Sequence, residues 1–272
     1  MSEALRIQAL TLPVGEIEPA DKFCRWALEA KPAPDDGDGP VRRVGWGRED
    51  RIELVDAGAL EEAEEAVTLR LAPHTLEGVA GWLAERGLSP ERVATPPEDA
   101  GEAAERWPDA LRETLEEETW GNRTVVSVRG PTAPRIDLFF PLPKEVLVSR
   151  SRVGPFAWRS KERGDLEVPG LLGVTTGAPD PAAWREFLAT LGVVPPGEDR
   201  EGPLSVGDHQ WIVEERDPGG IYGYAIVVPA AKVKDLARTM EHLEVDHRLD
   251  GARVLAADPA GRVVLVHGVR AA

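Results

Sequence analysis

Apolar residues along this chain fall into four copies of one arrangement. In each copy a strand-like apolar run ends at or beside a proline or glycine, and an amphipathic helical pattern begins at once. The copies are Ile7–Ala30, Val67–Gly87, Leu171–Gly192 and Tyr224–Glu244, with joints at Pro13, Pro73, Pro179 and Pro229. Such a unit cannot bury its apolar face alone, so its repetition says more about the fold than any single residue does.

In chain order, Leu5–Leu12 predicts a strand, and Ala20, Phe23, Cys24 and Ala27 then recur at helical spacing. A loop over Lys31–Pro40 precedes strands near Val41–Gly47 and Arg51–Val55. In the second copy, Val67–Leu71 is the strand and Thr75 the helix cap. Leu76, Val79, Ala80 and Leu83 are its buried stripe, and Gly87 its stop. The insertion Ser89–Thr119 holds a further helix opened by Pro108. Strands over Thr124–Arg129 and Arg135–Phe140 close this half. The Pro- and Gly-containing stretch Pro141–Pro169, basic in its middle, reads as a connection. Beyond it, Trp184, Phe187, Leu188 and Leu191 share a helix face that Gly192 ends. Strands follow near Leu204–Val206 and Gln210–Glu214, then a helix carrying Val233, Leu236, Ala237 and Met240. The last expected feature is a hairpin of Ala252–Ala256 with Arg262–His267, turned by Asp258–Gly261. Each quarter reads strand, helix, then two or three strands. That predicts an α+β fold of two mixed sheets, each with helices on one face and an open concave face suited to a ligand.

Composition narrows the partners. The 272 residues are comfortable for two domains, and the 42% hydrophobic content supports ordinary cores. No run approaches the roughly 18 apolar residues of a membrane span, and MSEALRIQAL predicts no export signal. The single cysteine, Cys24, excludes an internal disulfide and a multi-thiolate metal site. A cytoplasmic location is therefore expected. The formal net charge of −16 repels nucleic acid and anionic membranes, so neither is expected as a partner.

The arrangement resembles the vicinal oxygen chelate superfamily of glyoxalase I, bleomycin-resistance proteins, methylmalonyl-CoA epimerase and extradiol dioxygenases. The resemblance is carried by VGWGREDRIELVDAG (Val44–Gly58), by APDPAAWREFLATLG and by DPAGRVVL (Asp258–Leu265), and four tandem units resemble extradiol dioxygenases. It implies four βαβββ modules in two tandem glyoxalase-like cupped-sheet domains, residues 1–143 and 169–272, with a linker over 144–168. Metal-dependent members hold their ion with a His on a first strand and a Glu on a last strand. In the N-terminal half the His positions fall on Ala9 and Ala66, beside Gln8 and Glu65, and the acidic positions on Glu53 and Asp137. In the C-terminal half they fall near Gly173, on Gly223 or Tyr224, and on Ile212 and Leu265. Iron and zinc sites of this kind need imidazole with carboxylate. No metal cofactor is therefore expected.

Glu53, in RIELV, and Asp137, in RIDLFF, alternate with apolar neighbours, so each projects from the opposite face of its strand. They are either a functional pair, polarising or deprotonating a ligand, or solvated residues on a wet strand face. Trp46, Trp120 and Trp211 lie off the helical stripes and either line a cup or pack in a core, and Tyr222 and Tyr224 share that choice. Gln8 joins Trp46 and Trp120 as a candidate ligand contact. His74, His209, His242, His247 and His267 form no ligand spacing, His242 and His247 coming nearest to one. Cys24 reads as packing. The leading expectation is metal-independent binding of a small organic molecule in the N-terminal cup, the C-terminal half standing where a second subunit stands in dimeric relatives. The alternative is a lyase, isomerase or dioxygenase-like enzyme using Glu53 and Asp137. Either a monomer with an internal pseudo-dimer or a homodimer is compatible with both.

Overall fold

The computed structural model describes residues 5–33, 39–46, 51–60, 63–71, 76–95, 115–117, 125–140, 169–196 and 201–269. Two mixed sheets result. The N-terminal sheet contains β1 (Arg6–Val14), β2 (Lys31–Pro32), β3 (Val41–Gly45), β4 (Arg51–Asp56), β5 (Ala66–Arg70), β6 (Arg92–Thr95), β7 (Leu115–Glu117), β8 (Val125–Val128) and β9 (Arg135–Phe139). Its spatial order is β2-β3-β4-β1-β5-β9-β8-β6-β7. The C-terminal sheet contains β10 (Gly170–Ala178), β11 (Leu204–Val206), β12 (His209–Glu215), β13 (Gly220–Pro229), β14 (His247–Asp250), β15 (Arg253–Ala257) and β16 (Val263–Val269). They run β11-β12-β10-β13-β16-β15-β14.

In both sheets the first strands of two units meet antiparallel at the centre: β1 with β5, and β10 with β13. Each also pairs in parallel with the last strand of its own unit, across a helical crossover. The repeat keeps register through the two central positions of each first strand. Ala9 lies between Arg51 and Thr68, and Gly173 between Gln210 and Ala225. Thr11 lies between Glu53 and Ala66, and Thr175 between Ile212 and Gly223. The bulge at Ile7/Ala9 has its counterpart at Leu171/Gly173, and the β10–β13 pair carries one further shift at Thr175/Thr176. A bulge changes which face a strand residue occupies, so a shared bulge keeps the two floors comparable position by position.

The helices follow from the apolar stripes. Helix α1 (Ile17–Lys22) runs into a π-helical turn, Phe23–Ala27, that buries Phe23, Cys24 and Ala27. Helix α2 is Leu76–Glu85. Helix α3 (Pro181–Thr190) starts at Asp180, whose carboxylate accepts the Ala183 amide at 3.0 Å, with a proline in its first turn. Such a cap contributes about 1 kcal/mol. Helix α4 (Val233–His242) buries Val233, Leu236, Ala237 and Met240, the predicted stripe. Gly192, at φ +90°, ends the turn after α3.

The two sheets are not separate beads. Their core-side residues, from Leu10, Leu12 and Ile52 to Trp184, Trp211 and Val264, form one continuous buried cluster. Polar contacts cross the same junction. Arg262 donates to the Pro13 carbonyl at 2.9 Å and to Glu65 at 3.0 Å, and Glu65 also accepts the Ile221 amide. The structure adds the short strands β2, β6 and β14, which sequence patterning leaves as loop, and it makes Leu115–Glu117 a strand, β7, where the periodicity continues the Pro108 helix to Leu115. Thr75, the Pro108 helix and the 144–168 linker lie outside the described residues.

Candidate functional site

The register maps each concave floor. In the N-terminal sheet one row reads Arg43, Glu53, Thr11, Ala66, Arg135. The next reads Arg51, Ala9, Thr68, Asp137, Ser127, Arg92. Alternation puts Ile52, Leu54, Ile136 and Leu138 into the core on the other face, so these polar residues share one face by necessity. The floor is nevertheless buried: Thr68 is 0% exposed, Asp137 1% and Glu53 2%.

Glu53 and Asp137 therefore do share a floor, but in different states. Asp137 is fully engaged. Ser127 Oγ donates to its Oδ1 at 2.7 Å, and Arg135 grips both oxygens, Nε to Oδ1 at 2.9 Å and Nη2 to Oδ2 at 3.2 Å. Such a fork is the strongest pairing open to a carboxylate. Glu53 is held more loosely, with Arg43 Nε 3.4 Å and Arg51 Nε 3.5 Å from its Oε1. That oxygen makes no hydrogen bond among the described residues. Burial pushes the Glu53 carboxyl above its ordinary pKa, with Arg51 and Arg43 opposing and the Asp137 charge adding to the rise. On the same floor Thr11 Oγ1 and Thr68 Oγ1, and at the Ile7/Ala9 bulge Gln8 Oε1, are likewise buried without a hydrogen bond among the described residues. Buried polar atoms left this way cost about 1–3 kcal/mol each, so a cluster of them marks a place where water or ligand oxygen belongs.

Sequence reading selected the two carboxylates and missed the arginines and threonines around them. The signal was present: Arg51-Ile-Glu53 and Arg135-Ile-Asp137 place cation and anion two residues apart, on one face of a strand. Trp46 donates its indole N–H to the Leu28 carbonyl at 2.8 Å and packs against the core cluster, so its ring lies on the core side of the strand. Trp211 is wholly buried in the core, and Tyr224 is buried too. Tyr222 lines the C-terminal cup. Trp120 and His74 lie outside the described residues. His242 is exposed and His247 turns Nδ1 to the Val245 carbonyl at 2.9 Å. Cys24 is buried, as expected of a packing residue.

The equivalent C-terminal floor carries different chemistry. Its rows read Gln210, Gly173, Ala225, Leu265, Leu255 and Ile212, Thr175, Gly223, Val263. These are the register equivalents of the N-terminal polar rows: Ile212 stands for Glu53, Leu265 for Asp137, Val263 for Arg135. All of them but Leu255 line an open cup with a cavity of about 160 Å³. Its one carboxylate, Glu214, is paired with Arg216 at 2.9 Å, and the Arg216 guanidinium lies 4.5 Å above the Tyr222 ring.

No family model matches the chain, and no curated protein matches it. Solved structures do. The 2,3-dioxygenase LapB from Pseudomonas sp. KL28 superposes with a TM-score of 0.62 at 16% identity, covering 100% of this chain and 94% of its own. A homoprotocatechuate 2,3-dioxygenase from Arthrobacter globiformis gives 0.60 at 14% identity, over 98% and 80%. A catechol 2,3-dioxygenase gives 0.59 at 14%, over 97% and 94%. The chain thus has the fold of these 2,3-dioxygenases, matched over 97–100% of its length.

The resemblance to that group implies a metal, which the residues of the C-terminal floor do not fit. A non-haem iron site takes two imidazoles and a carboxylate. The positions in question hold Gly173, Gly223 or Tyr224, Ile212 and Leu265, and the adjacent Ala225 supplies no donor either. Backbone spacing closes the matter at two of them. A Cβ on Gly173 would lie 2.3 Å from the Gln210 carbonyl oxygen, and one on Gly223 would lie 2.6 Å from that of Val263. Strand packing there leaves no room for any side chain. Among the described residues no three His, Cys, Asp or Glu side chains gather to hold an ion.

Proposed function

We propose that the chain is an enzyme of vicinal-oxygen-chelate type that moves a proton on a small organic acid or carbonyl compound, with Glu53 as the proton-transferring group. One observation carries this reading: a buried carboxyl whose Oε1, ion-paired at 3.4 and 3.5 Å to Arg43 and Arg51, makes no hydrogen bond among the described residues and shares its floor with the unsatisfied hydroxyls of Thr11 and Thr68. The fold likeness to dioxygenases supports an enzyme over the sequestering role expected from sequence. It does not extend to oxygen chemistry, for which the donors do not fit.

The chemistry follows from the floor. Thr11, Thr68 and the Arg43 and Arg51 guanidinium groups would bind the oxygens of the ligand. Glu53 would take the proton from the carbon beside the ligand's carbonyl or carboxyl group. The electron pair left behind would move onto that oxygen, where the arginines neutralise it. Return of the proton to a different face or atom completes an isomerisation with no net redox change. A carboxyl raised by burial is a stronger base than a solvated one, which suits the task. Asp137, saturated by Ser127 and Arg135, is the positioning residue of this floor.

The test is solvent exchange. The full chain is incubated in D₂O with a panel of 2-oxo and 2-hydroxy carboxylates, and loss of the carbon-bound proton signal is followed by NMR. Exchange with one member, abolished in Glu53→Gln, is the expected result. Absence of exchange across the panel, or exchange that survives in Glu53→Gln, would overturn the reading.

A further inference from the structure

We propose that the free edge of the C-terminal sheet is a self-pairing surface, where β14 joins β14 of a second copy of this chain, antiparallel and centred on Leu249. It is independent of the reading of Glu53. Among the described residues β14 ends its sheet. The strand at the equivalent place in the N-terminal sheet does not stay bare. There β6 is covered by β7, which pairs with it over three residues. This fold therefore closes the same place with a strand no longer than β14.

The backbone fixes what the edge offers. The Ala257 amide donates to the Asp246 carbonyl at 3.3 Å, just outside the β14–β15 ladder. In an antiparallel ladder every second residue bonds to the neighbouring strand. Asp246, Arg248 and Asp250 therefore bond toward β15, while His247 and Leu249 turn N–H and C=O to the open side. Such an unpaired row is a template for another strand. Two copies related by a two-fold axis across this edge can centre on His247, Arg248 or Leu249. Centring on His247 would need Val245, whose N–H already donates to the Met240 carbonyl and whose carbonyl faces His247 Nδ1, both at 2.9 Å. Centring on Arg248 sets it against its own copy, and Asp246 against Asp250. Centring on Leu249 sets Arg248 against Asp250 at both ends of the seam, where opposite charges attract. Arg248 and Asp250 are exposed and carry no ion pair among the described residues. Leu249 is 44% exposed and Leu243, in the turn between α4 and β14, 42%, so the same axis also covers apolar surface. A seam this short buries less than the roughly 1,200 Å² at which stable complexes begin, so the dimer is a reversible one.

The experiment is sedimentation equilibrium of the full chain at physiological salt, from micromolar to about millimolar protein. A reversible monomer–dimer equilibrium is expected. Arg248→Asp and Asp250→Arg should each weaken it by about tenfold or more, because each sets like charges against one another at both ends of the seam. An equimolar mixture of the two variants should recover the dimer, since each then meets the charge opposite to its own. Leu249→Pro removes the central donor without touching the β14–β15 ladder, and should abolish association with the circular dichroism unchanged. If Leu249→Pro fails to fold, the mixing experiment decides alone. The proposal falls if the chain is monomeric throughout the range, which would leave the edge to another strand or to none. It also falls if either charge variant associates as the unaltered chain does, or if the mixture stays monomeric.

Discussion

The two sheets are one design used twice with opposite chemistry on their floors. At register-equivalent positions, Arg135 and Asp137 in the N-terminal sheet face Val263 and Leu265 in the C-terminal one. Glu53 answers to Ile212, and Thr68 to Ala225. The core faces differ in the reverse sense. Leu12 is apolar, whereas its counterpart Thr176 accepts the indole N–H groups of Trp184 and Trp211 at 3.1 and 2.8 Å. The lesson is that backbone pairing and floor chemistry are separable. Ladder hydrogen bonds and core alternation conserve the scaffold, while the residues on the concave side are free to become an ion-pair network or an apolar dish.

The largest test of that contrast is Arg135→Ala. Among the described residues it leaves the buried Asp137 charge with Ser127 as its hydrogen-bond partner, and removing one partner of a buried pair costs about 3–5 kcal/mol. Urea unfolding should show that loss. A loss below 1 kcal/mol would mean that the N-terminal floor is not the charged network described here.

Next in size is a pH effect at the junction of the sheets. Burial, with Arg6 adding to it, pushes His209 down to about 4. A base held neutral in the folded state contributes stability above its unfolded pKa of about 6.5 and loses it as pH falls toward 4, by about 3 kcal/mol at most. His209→Gln should flatten the stability curve over that window, and an unchanged slope would contradict it.

Thr176→Val then probes the core side. It strands two buried indole N–H groups, for a loss of about 2 kcal/mol, whereas Leu12, its counterpart, has no such bond to lose.

Smaller still is the signature of Glu53. An acid raised in the folded state lowers stability as pH climbs from its unfolded value, about 4.5, through its folded one. The stability of Glu53→Gln relative to the unaltered chain should therefore improve as pH rises through that range. A constant difference would show that Glu53 is not raised. The smallest effect is expected of Val263→Ala, the counterpart of Arg135: at a half-exposed position it should stay within about 0.5 kcal/mol.

Much of this was legible in advance, and for local reasons. Ala20, Phe23, Cys24, Val233, Leu236 and Met240 are buried as helical spacing required, because a helix shows one face to a sheet regardless of what lies across it. Glu53 and Asp137 came forward because strand alternation separates polar from apolar residues. The short strands β2, β6, β7 and β14, at or beside the sheet edges, were not legible, since pairing with a neighbour, and not their own composition, makes them strands. The side taken by Trp46 was left open by the sequence because parity along its strand is set by the partner strand; its N–H donates to the distant Leu28 carbonyl.

By itself, then, the amino-acid order determined the four strand-helix units, the two-sheet α+β plan and the lack of imidazole at the positions where the resemblance places metal ligands, since all three follow from periodicity and residue type. Only the tertiary structure decided that Asp137 is saturated while Glu53 is loosely held, and that Gly173 and Gly223 admit no side chain. It also decided that one floor is buried and charged where the other is open and apolar. Those outcomes depend on ångström-scale distances between strands far apart in the chain, and hydrogen bonding and steric exclusion change sharply over such distances.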